Sequence, residues 1–317
     1  MITDKQEAYV IAYPQAEQFA ELQEDIFWTA KEIGMDKDLH DLHNNLTEAE
    51  MHGVVTVLKL FTLYETHVGN DYWLDFIRKK FRRPEIQRMA SVFGMFELNV
   101  HAPFYNKINE VLNLNTEEFY NSYVEDKTLR GRMDWLDRQF DGDDMLASLA
   151  VGSIVEGAVL YSNFAFLKHF QAEGKNKLVN MAAGINFSVR DENLHSLAGA
   201  WLFNTLREES EQLDNKELDK KIYKTCGKIY EHESRIIDMI FEKGEIKGIT
   251  DLQMKNFIQA RLNLCLEQLR LAPLYEVDYD PISKWFYKNI NTPQLHDFFH
   301  KQGNSYNRDW QETRFAW

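Results

Sequence analysis

Four glutamates and two histidines in strongly apolar segments constrain the fold of this 317-residue chain more than any other feature. These residues are Glu65, Glu97, His101, Glu156, Glu192 and His195. Glu97 lies 32 residues after Glu65, and Glu192 lies 36 residues after Glu156. Separations of that size fit a chain that leaves one helix at mid-length, turns, and returns to the same depth on the neighbouring helix. The pattern predicts four helices that bring four carboxylates and two imidazoles together.

The segments that carry these residues have helical patterns. Residues 46–81 read as one long helix, with Thr47 as its N-cap and Glu50 in the position of a capping box. Pro84 suits the first turn of the next helix. The two later segments, 143–170 and 175–210, are apolar around most of their circumference, so we expect both to be buried. No useful length of chain alternates with the two-residue period of a strand, so the sequence predicts an all-α protein with a four-helix-bundle core.

Further helices are predicted outside this core. The polar connection 113–142 contains two shorter helical patterns, and longer ones cover about 216–243 and 250–272. The stretch before Leu46 mixes aromatic and charged residues and predicts no particular element. No linker divides residues 47–272, and residues 1–295 are predicted to form a single domain. Residues 296–317 include a final stretch without helical or strand periodicity and are predicted to be a flexible tail.

Composition excludes several classes of protein. The net charge of −14 disfavours binding to nucleic acid or to an anionic membrane. The sequence shows no N-terminal signal and no uninterrupted apolar run long enough to span a bilayer. Cys226 and Cys265 are too few for a disulfide framework or a sulfur-ligated cluster. These features favour a soluble cytoplasmic protein.

The buried carboxylates predict a metal site. A single ionised glutamate in an apolar helix costs several kcal/mol unless it has a partner, and on its own it is more often protonated or paired in a salt bridge. A lone histidine on an apolar face is likewise more often a satisfied core residue than a ligand. The ordered set of four glutamates and two histidines changes that balance, because two divalent cations neutralise four carboxylates. Ligands rich in oxygen favour iron or manganese over structural zinc.

The motifs resemble those of the small, radical-generating subunit of class I ribonucleotide reductase, from about Trp28 to the C-terminus. The matching segments are TLYETHVGN, FELNVHAPFY, VEGAVLYSNFAF and RDENLH. The resemblance implies a ferritin-like fold and two metal ions per chain. Iron is favoured, with manganese or a mixed manganese–iron pair left open. The resemblance also implies six metal ligands, which are Glu65, Glu97, His101, Glu156, Glu192 and His195.

One motif departs from the family pattern. The family has its glutamate three residues before the histidine, whereas Glu97 lies four residues before His101 and Leu98 occupies the third position. Pro103 follows closely, where it would remove a backbone donor and clash with the preceding turn of an α-helix. An extra residue beside a proline predicts a π-bulge that directs Glu97 toward the metal. A straight α-helix with Glu97 in solvent would refute this hypothesis.

The resemblance implies that Tyr105 carries a stable tyrosyl radical. The tyrosine lies one turn after His101, and in an unrelated bundle it would be an ordinary core residue. Leu160 and Phe164 are predicted to keep water from it. Some family members with a glutamate at the position of Glu65 use a manganese–iron pair and lack the tyrosine. Because Tyr105 is present here, a tyrosyl radical is favoured.

The resemblance further implies a path by which the radical leaves. Trp28 in DIFWTAKEIG is the implied relay, and Asp191 would link it to a metal-bound histidine or simply orient a neighbouring ligand. Tyr306 in the tail is the implied exit residue, and the tail ending RFAW would dock on the large catalytic subunit. A homodimer is implied as well. The expected activity is therefore that of the small subunit of ribonucleoside-diphosphate reductase, which reduces ribonucleotides to deoxyribonucleotides.

Two other functions remain open. A stand-alone ferritin-like di-metal oxidase or monooxygenase would need a substrate cavity beside the metals and no relay through Trp28, Asp191 or Tyr306. An iron-storage protein or a purely structural bundle would share the fold, but storage requires assembly into a cage. Replacement of Tyr306 separates the first alternative from the reductase, and the oligomeric state separates the second.

Overall fold

The computed structural model describes residues 1–140, 144–288 and 290. These residues form helices and connections, with one isolated bridge between Ile246 and Ile249 and no strand among them. The predicted all-α class is confirmed. The predicted tail 296–317, which includes Tyr306, lies outside the described residues.

The N-terminal stretch contains a helix that the sequence analysis did not predict. Helix α1 spans Pro14–Asp25, and its charged residues hid a buried face that includes Phe19 and Gln23. Three short helical turns follow it. They are the 3₁₀ turns Ala30–Glu32 and Met35–Asp38 and the π turn Asp41–Asn45. The buried Asp38 carboxylate accepts hydrogen bonds from the first backbone amides of a later core helix, so this stretch closes one end of the bundle.

The first pair of core helices is continuous through π-helical segments. Helix α2 comprises Glu48–His67, the π segment Val68–Ile77 and Arg78–Lys80. Helix α3 comprises Pro84–Phe96, the π segment Glu97–His101 and Ala102–Val111. The capping box of Thr47 and Glu50 is present as predicted, and Pro84 occupies the first turn. A Cβ on Gly69 would lie 2.9 Å from the Cβ of Glu97, so the two helices approach closely beside a predicted ligand.

The second pair of core helices packs through small residues. Helix α6 comprises Met145–Ile154, the π segment Val155–Val159 and, after Leu160, Tyr161–Lys168. Helix α7 is the uninterrupted Val179–Glu209. Ser153 Oγ donates to the Ser196 carbonyl and Ser196 Oγ donates to the Ser153 carbonyl, each at 2.8 Å. These reciprocal bonds join the helices close to Glu156 and His195.

The remaining helices surround this core. They are α4 (Glu117–Asn121), α5 (Lys127–Phe140), α8 (Lys216–Ile240), α9 (Asp251–Gln268) and α10 (Pro281–Phe286), with 3₁₀ turns at Ser122–Val124 and His169–Gly174. The predicted helices 216–243 and 250–272 correspond to α8 and α9, and each prediction extends a few residues beyond the C-terminal end of the observed helix. Helix α10 was not predicted.

One helical stretch has the length and overall composition of a membrane span, although Glu156 interrupts its apolar run. By length and composition alone, Met145–Ala172 could cross a membrane. However, 89% of its most apolar window is buried inside the protein. Its composition therefore reflects its central position in a soluble helical core, where every face contacts other helices.

Candidate metal centre

All six predicted ligands converge in the centre of the bundle. Their side chains are buried, and their donor atoms form two groups in which all atoms lie within 4.8 Å of one another. The first group is Glu65, Glu97, His101 and Glu192. The second group is Glu97, Glu156, Glu192 and His195. Two glutamates are shared between the groups, which is the arrangement expected of carboxylates that bridge two adjacent cations.

The two imidazoles are oriented so that Nδ1 points into the cluster. His101 Nδ1 lies 2.9 Å from Glu97 Oε2 and 3.1 Å from Glu192 Oε1. His195 Nδ1 lies 2.6 Å from Glu97 Oε1. The opposite nitrogens are occupied elsewhere. His101 Nε2 lies 3.1 Å from Asp191 Oδ2, and His195 Nε2 lies 3.1 Å from Gln23 Oε1. These outer partners fix the rings and leave Nδ1 of each facing the carboxylates.

The electrostatics of the cluster indicate that it is built for cations. Among the described residues, no lysine or arginine forms an ion pair with the four glutamates. Burial and then neighbouring carboxylates raise the pKa of Glu65 and of Glu156 well above its usual range. Burial would lower the pKa of His195, but Glu97 and Glu192 outweigh it and raise that pKa to about 9. Without metal, protons therefore supply the missing positive charge.

The donor set fits two divalent cations. Within the described part of the chain, the buried Glu65 Oε1 has no hydrogen-bond donor. A buried carboxylate oxygen without a donor is costly, and a cation would satisfy it. Four carboxylates and two neutral imidazoles match the preferences of iron and manganese. The residues present therefore fit the metal pair that the motifs imply.

The predicted π-bulge is present. Glu97–His101 is π-helical, and the Ala102 amide donates to the Glu97 carbonyl five residues earlier. The wider turn accommodates Pro103, and the Glu97 side chain is fully buried in the cluster. Two further π segments in the core helices were not predicted. Glu156 lies inside Val155–Val159, and Val68–Ile77 begins three residues after Glu65.

Tyr105 is fully buried beside the cluster. Its hydroxyl donates to Ser188 Oγ at 3.0 Å, and its ring stacks on Phe61 with centroids 4.2 Å apart. Phe164 stacks in turn on Phe61, so it shields the tyrosine through that ring. Leu160 is buried at the junction after the π segment of α6. Burial and then the negative charge of Glu65 raise the pKa of Tyr105 well above its usual range.

Trp28 and Asp191 form a continuous chain to the cluster. Trp28 Nε1 donates to Asp191 Oδ2 at 2.7 Å, and the same oxygen lies 3.1 Å from His101 Nε2. All three side chains are buried. The structure thus brings together every described residue of the predicted relay, while Tyr306 lies outside the described residues.

Four neighbours of the site were not predicted. Trp73 Nε1 donates to Glu156 Oε1 at 2.5 Å. Gln23 contacts His195 through its side-chain oxygen. Ser188 accepts the hydrogen bond of the Tyr105 hydroxyl, and Phe61 stacks on the Tyr105 ring. Trp73 lies about two turns after Glu65, so helical spacing could have indicated it. Gln23 belongs to a helix that the sequence analysis missed, and no local pattern marks it.

Comparisons with known proteins agree with this geometry. A protein of Invertebrate iridescent virus 3 named "Probable ribonucleoside-diphosphate reductase small subunit 048L" is 28% identical over 93% of this chain and 82% of its own. The Chlamydia pneumoniae ribonucleoside-diphosphate reductase subunit beta is 26% identical over 88% of this chain and 83% of its own.

A solved structure shows the same fold. The Streptococcus sanguinis dimanganese(II)-NrdF structure superposes with a TM-score of 0.76 at 22% identity, covering 89% of this chain and 99% of that one. The predicted ferritin-like helical fold is confirmed. The family model for "Ribonucleotide reductase, small chain" matches residues 6–281. This match shows that the chain belongs to the ribonucleotide reductase small chain family.

Proposed function

We propose that the six buried residues hold two metal ions, and that the protein uses them to generate a tyrosyl radical on Tyr105 for a large catalytic subunit. Family membership gives the reaction, which is the reduction of ribonucleoside diphosphates. The observation that carries the proposal is the convergence of four carboxylates and two imidazoles in two groups that share Glu97 and Glu192. A cytoplasmic homodimer is the proposed working form.

Iron is the proposed metal, with manganese or a mixed pair as alternatives. The ligand types suit all three, and the Streptococcus sanguinis relative was solved with two manganese(II) ions. When bound, the metal pair supplies the reduction of O2 and with it the oxidising equivalent. The protein's own contribution is to fix the ligands, keep the centre dry and provide the oxidisable phenol.

The environment of Tyr105 suits a stored radical. Oxidation of a phenol at neutral pH removes one electron and one proton. The hydroxyl already donates to Ser188 Oγ at 3.0 Å, and a neutral serine hydroxyl can relay that proton but cannot keep it. Phe61 and the other buried rings around Tyr105 keep water and reductants away from the product.

The chain of Trp28, Asp191 and His101 is the proposed route by which the oxidising equivalent leaves the centre. The two hydrogen bonds at Asp191 Oδ2 connect the indole to the imidazole without intervening solvent. Tyr306 and the tail are the proposed continuation toward the large subunit. A stand-alone oxidase would have no use for this route.

Metal analysis combined with electron paramagnetic resonance tests the proposal. The full chain, loaded with Fe(II) or Mn(II) and then exposed to oxygen, should hold two metals and show a tyrosyl signal. The Tyr105→Phe variant should hold two metals without that signal. Retention of the same signal in Tyr105→Phe would refute the assignment of the radical.

A second variant separates the reductase from a stand-alone oxidase. Tyr306→Phe should keep the radical and lose reductase activity when the large subunit is added. Unchanged reductase activity in Tyr306→Phe would refute the proposed exit through the tail.

A further inference from the structure

Two buried arginines from outside the four-helix core end at the π segment that carries Glu156. Arg261 of α9 donates to the Gly157 carbonyl from Nε at 2.9 Å and from Nη2 at 2.6 Å. Arg132 of α5 donates from Nη2 to the Val159 carbonyl at 2.7 Å. Both carbonyls belong to the five-residue segment Val155–Val159. Accessory helices on two sides therefore contact the same turn of α6.

A π turn followed by a break needs such donors. The regular helix stops at Leu160 and resumes at Tyr161, so the carbonyls before the break do not all follow the α-helical pattern. A buried carbonyl without a donor is unfavourable, and residues 155–159 are all buried. Guanidinium groups supply charge-assisted hydrogen bonds with fixed directions, which hold the carbonyls more strictly than neutral donors would.

Both arginines are themselves held in place. Arg132 pairs with Glu233 of α8 at 2.6 Å and lies over the Tyr64 ring at 4.6 Å from its centroid. Arg261 lies over the Tyr161 ring at 3.8 Å. Each side chain is only 2% exposed. A buried guanidinium that loses its partners is strongly destabilising, so neither group can move away freely.

The backbone of the π segment is confined as well. A Cβ on Gly157 would lie 2.5 Å from both Cys265 Sγ and Ser196 Oγ. The backbone at Gly157 is therefore pressed against α9 and α7, and only glycine fits there. With the arginines on its carbonyls and these helices against its backbone, the turn has one accessible position.

We infer that Arg132 and Arg261 are positioning residues that hold the π turn of α6 and thereby aim the Glu156 carboxylate into the metal centre. The inference rests on the proposed ligand role of Glu156. Only the group of Glu97, Glu156, Glu192 and His195 depends on this turn. The other group lacks Glu156, so a misplaced turn should weaken one metal position and spare the other.

Manganese titration of the full chain without oxygen tests this inference, with free Mn(II) measured by electron paramagnetic resonance. Wild type should bind two ions. Arg261→Gln and Arg132→Gln should each bind one ion as in wild type and the second with affinity reduced by about tenfold or more, the range seen when outer partners of metal ligands are removed.

Arg207→Gln is the matched control. Arg207 is a buried arginine of α7 that also donates to two backbone carbonyls, those of Gln212 and Leu213, but at the far end of the bundle. Its replacement should lower thermal stability and leave both manganese affinities unchanged. If Arg261→Gln and Arg132→Gln lower stability in the same way and keep both affinities, the arginines serve stability alone and the inference is overturned.

A conservative variant covers the case in which the glutamine variants do not fold. Arg261→Lys keeps the buried charge but cannot donate from two nitrogens to one carbonyl. It should weaken the second manganese ion relative to wild type, and full wild-type affinity would overturn the inference. Failure of the wild-type chain to bind two ions would instead refute the proposed function.

Discussion

At the scale of single residues, function depends on the hydrogen-bond partner of each polar atom. Tyr105 donates to Ser188 at 3.0 Å, and Ser188 lies one turn before the proposed ligand Glu192. The tyrosine hydroxyl is therefore bonded to the helix that carries Glu192 and His195. Asp191 and Gln23 occupy the outer nitrogens of the two histidines and so determine which nitrogen of each faces the metals.

Replacement of Ser188 by alanine should change the radical without removing the metals. Loss of the hydroxyl takes away the hydrogen-bonding partner of the Tyr105 oxygen, which should raise the largest g-value of the tyrosyl radical in high-field electron paramagnetic resonance. Ser91→Ala on α3, whose hydroxyl bonds only to the Gln87 carbonyl among described partners, is the control and should leave the spectrum unchanged. An identical g-value in Ser188→Ala would show that the radical oxygen does not depend on this bond.

At the scale of elements, three of the four core helices contain a π segment at or just after the glutamate that they contribute. A π-bulge adds one residue and widens a turn without changing the register of the helix beyond it. Such a bulge interrupts the regular α-helical hydrogen bonds, and it occurs where a side chain must point in a different direction, as at Glu97. Helix α7 contributes two proposed ligands with ordinary helical spacing and remains uninterrupted.

The bulge at Glu97–His101 should be removable by deleting Leu98. The deletion restores an α-helix with the glutamate three residues before the histidine, which still places both on one face. Pro103 would then clash with the preceding turn at a cost of about 3 kcal/mol. Deletion of Leu98 together with Pro103→Ala should therefore fold and bind two Mn(II) ions, whereas the deletion alone should be less stable.

Deletion of Ala198 from α7 provides the control for this experiment. No bulge is present there to absorb it, so the residues beyond would rotate by about 100° and lose their packing. This variant should not fold, as measured by circular dichroism. If deletion of Leu98 with Pro103→Ala is equally damaging, the segment 97–101 is not a simple one-residue insertion.

At the scale of the whole molecule, the cluster joins four helices whose carboxylates need metal ions or protons to balance their charge. The raised pKa of His195, about 9 instead of 6.5, means that the folded metal-free chain keeps a proton that the unfolded chain releases. This contribution to stability is complete below pH 6.5 and is lost as pH rises through about 9. The raised pKa values of Glu65 and Glu156 act in the same direction.

The metal-free protein should therefore lose about 2 to 3 kcal/mol of unfolding free energy between pH 6.5 and 9 from His195 alone. Mn(II) at a hundred times its dissociation constant should add about 2.7 kcal/mol per site. At a fixed Mn(II) concentration the gain should grow with pH, because metal and protons compete for the same atoms. Urea unfolding with chelator or with Mn(II), without oxygen, measures both effects. A metal-free stability that rises with pH would contradict the assignment.

The amino-acid sequence alone was sufficient to predict the helical class, the core helices, the six converging side chains and the bulge at Glu97. These depend on local periodicity, on the incompatibility of buried carboxylates with an apolar core, and on the ring of Pro103. The tertiary structure alone determined the partners that come from distant helices, such as Gln23, Ser188, Arg132 and Arg261. Their hydrogen bonds span up to 172 residues of chain, as between Gln23 and His195. Such contacts arise from how the helices pack, and no local pattern records them.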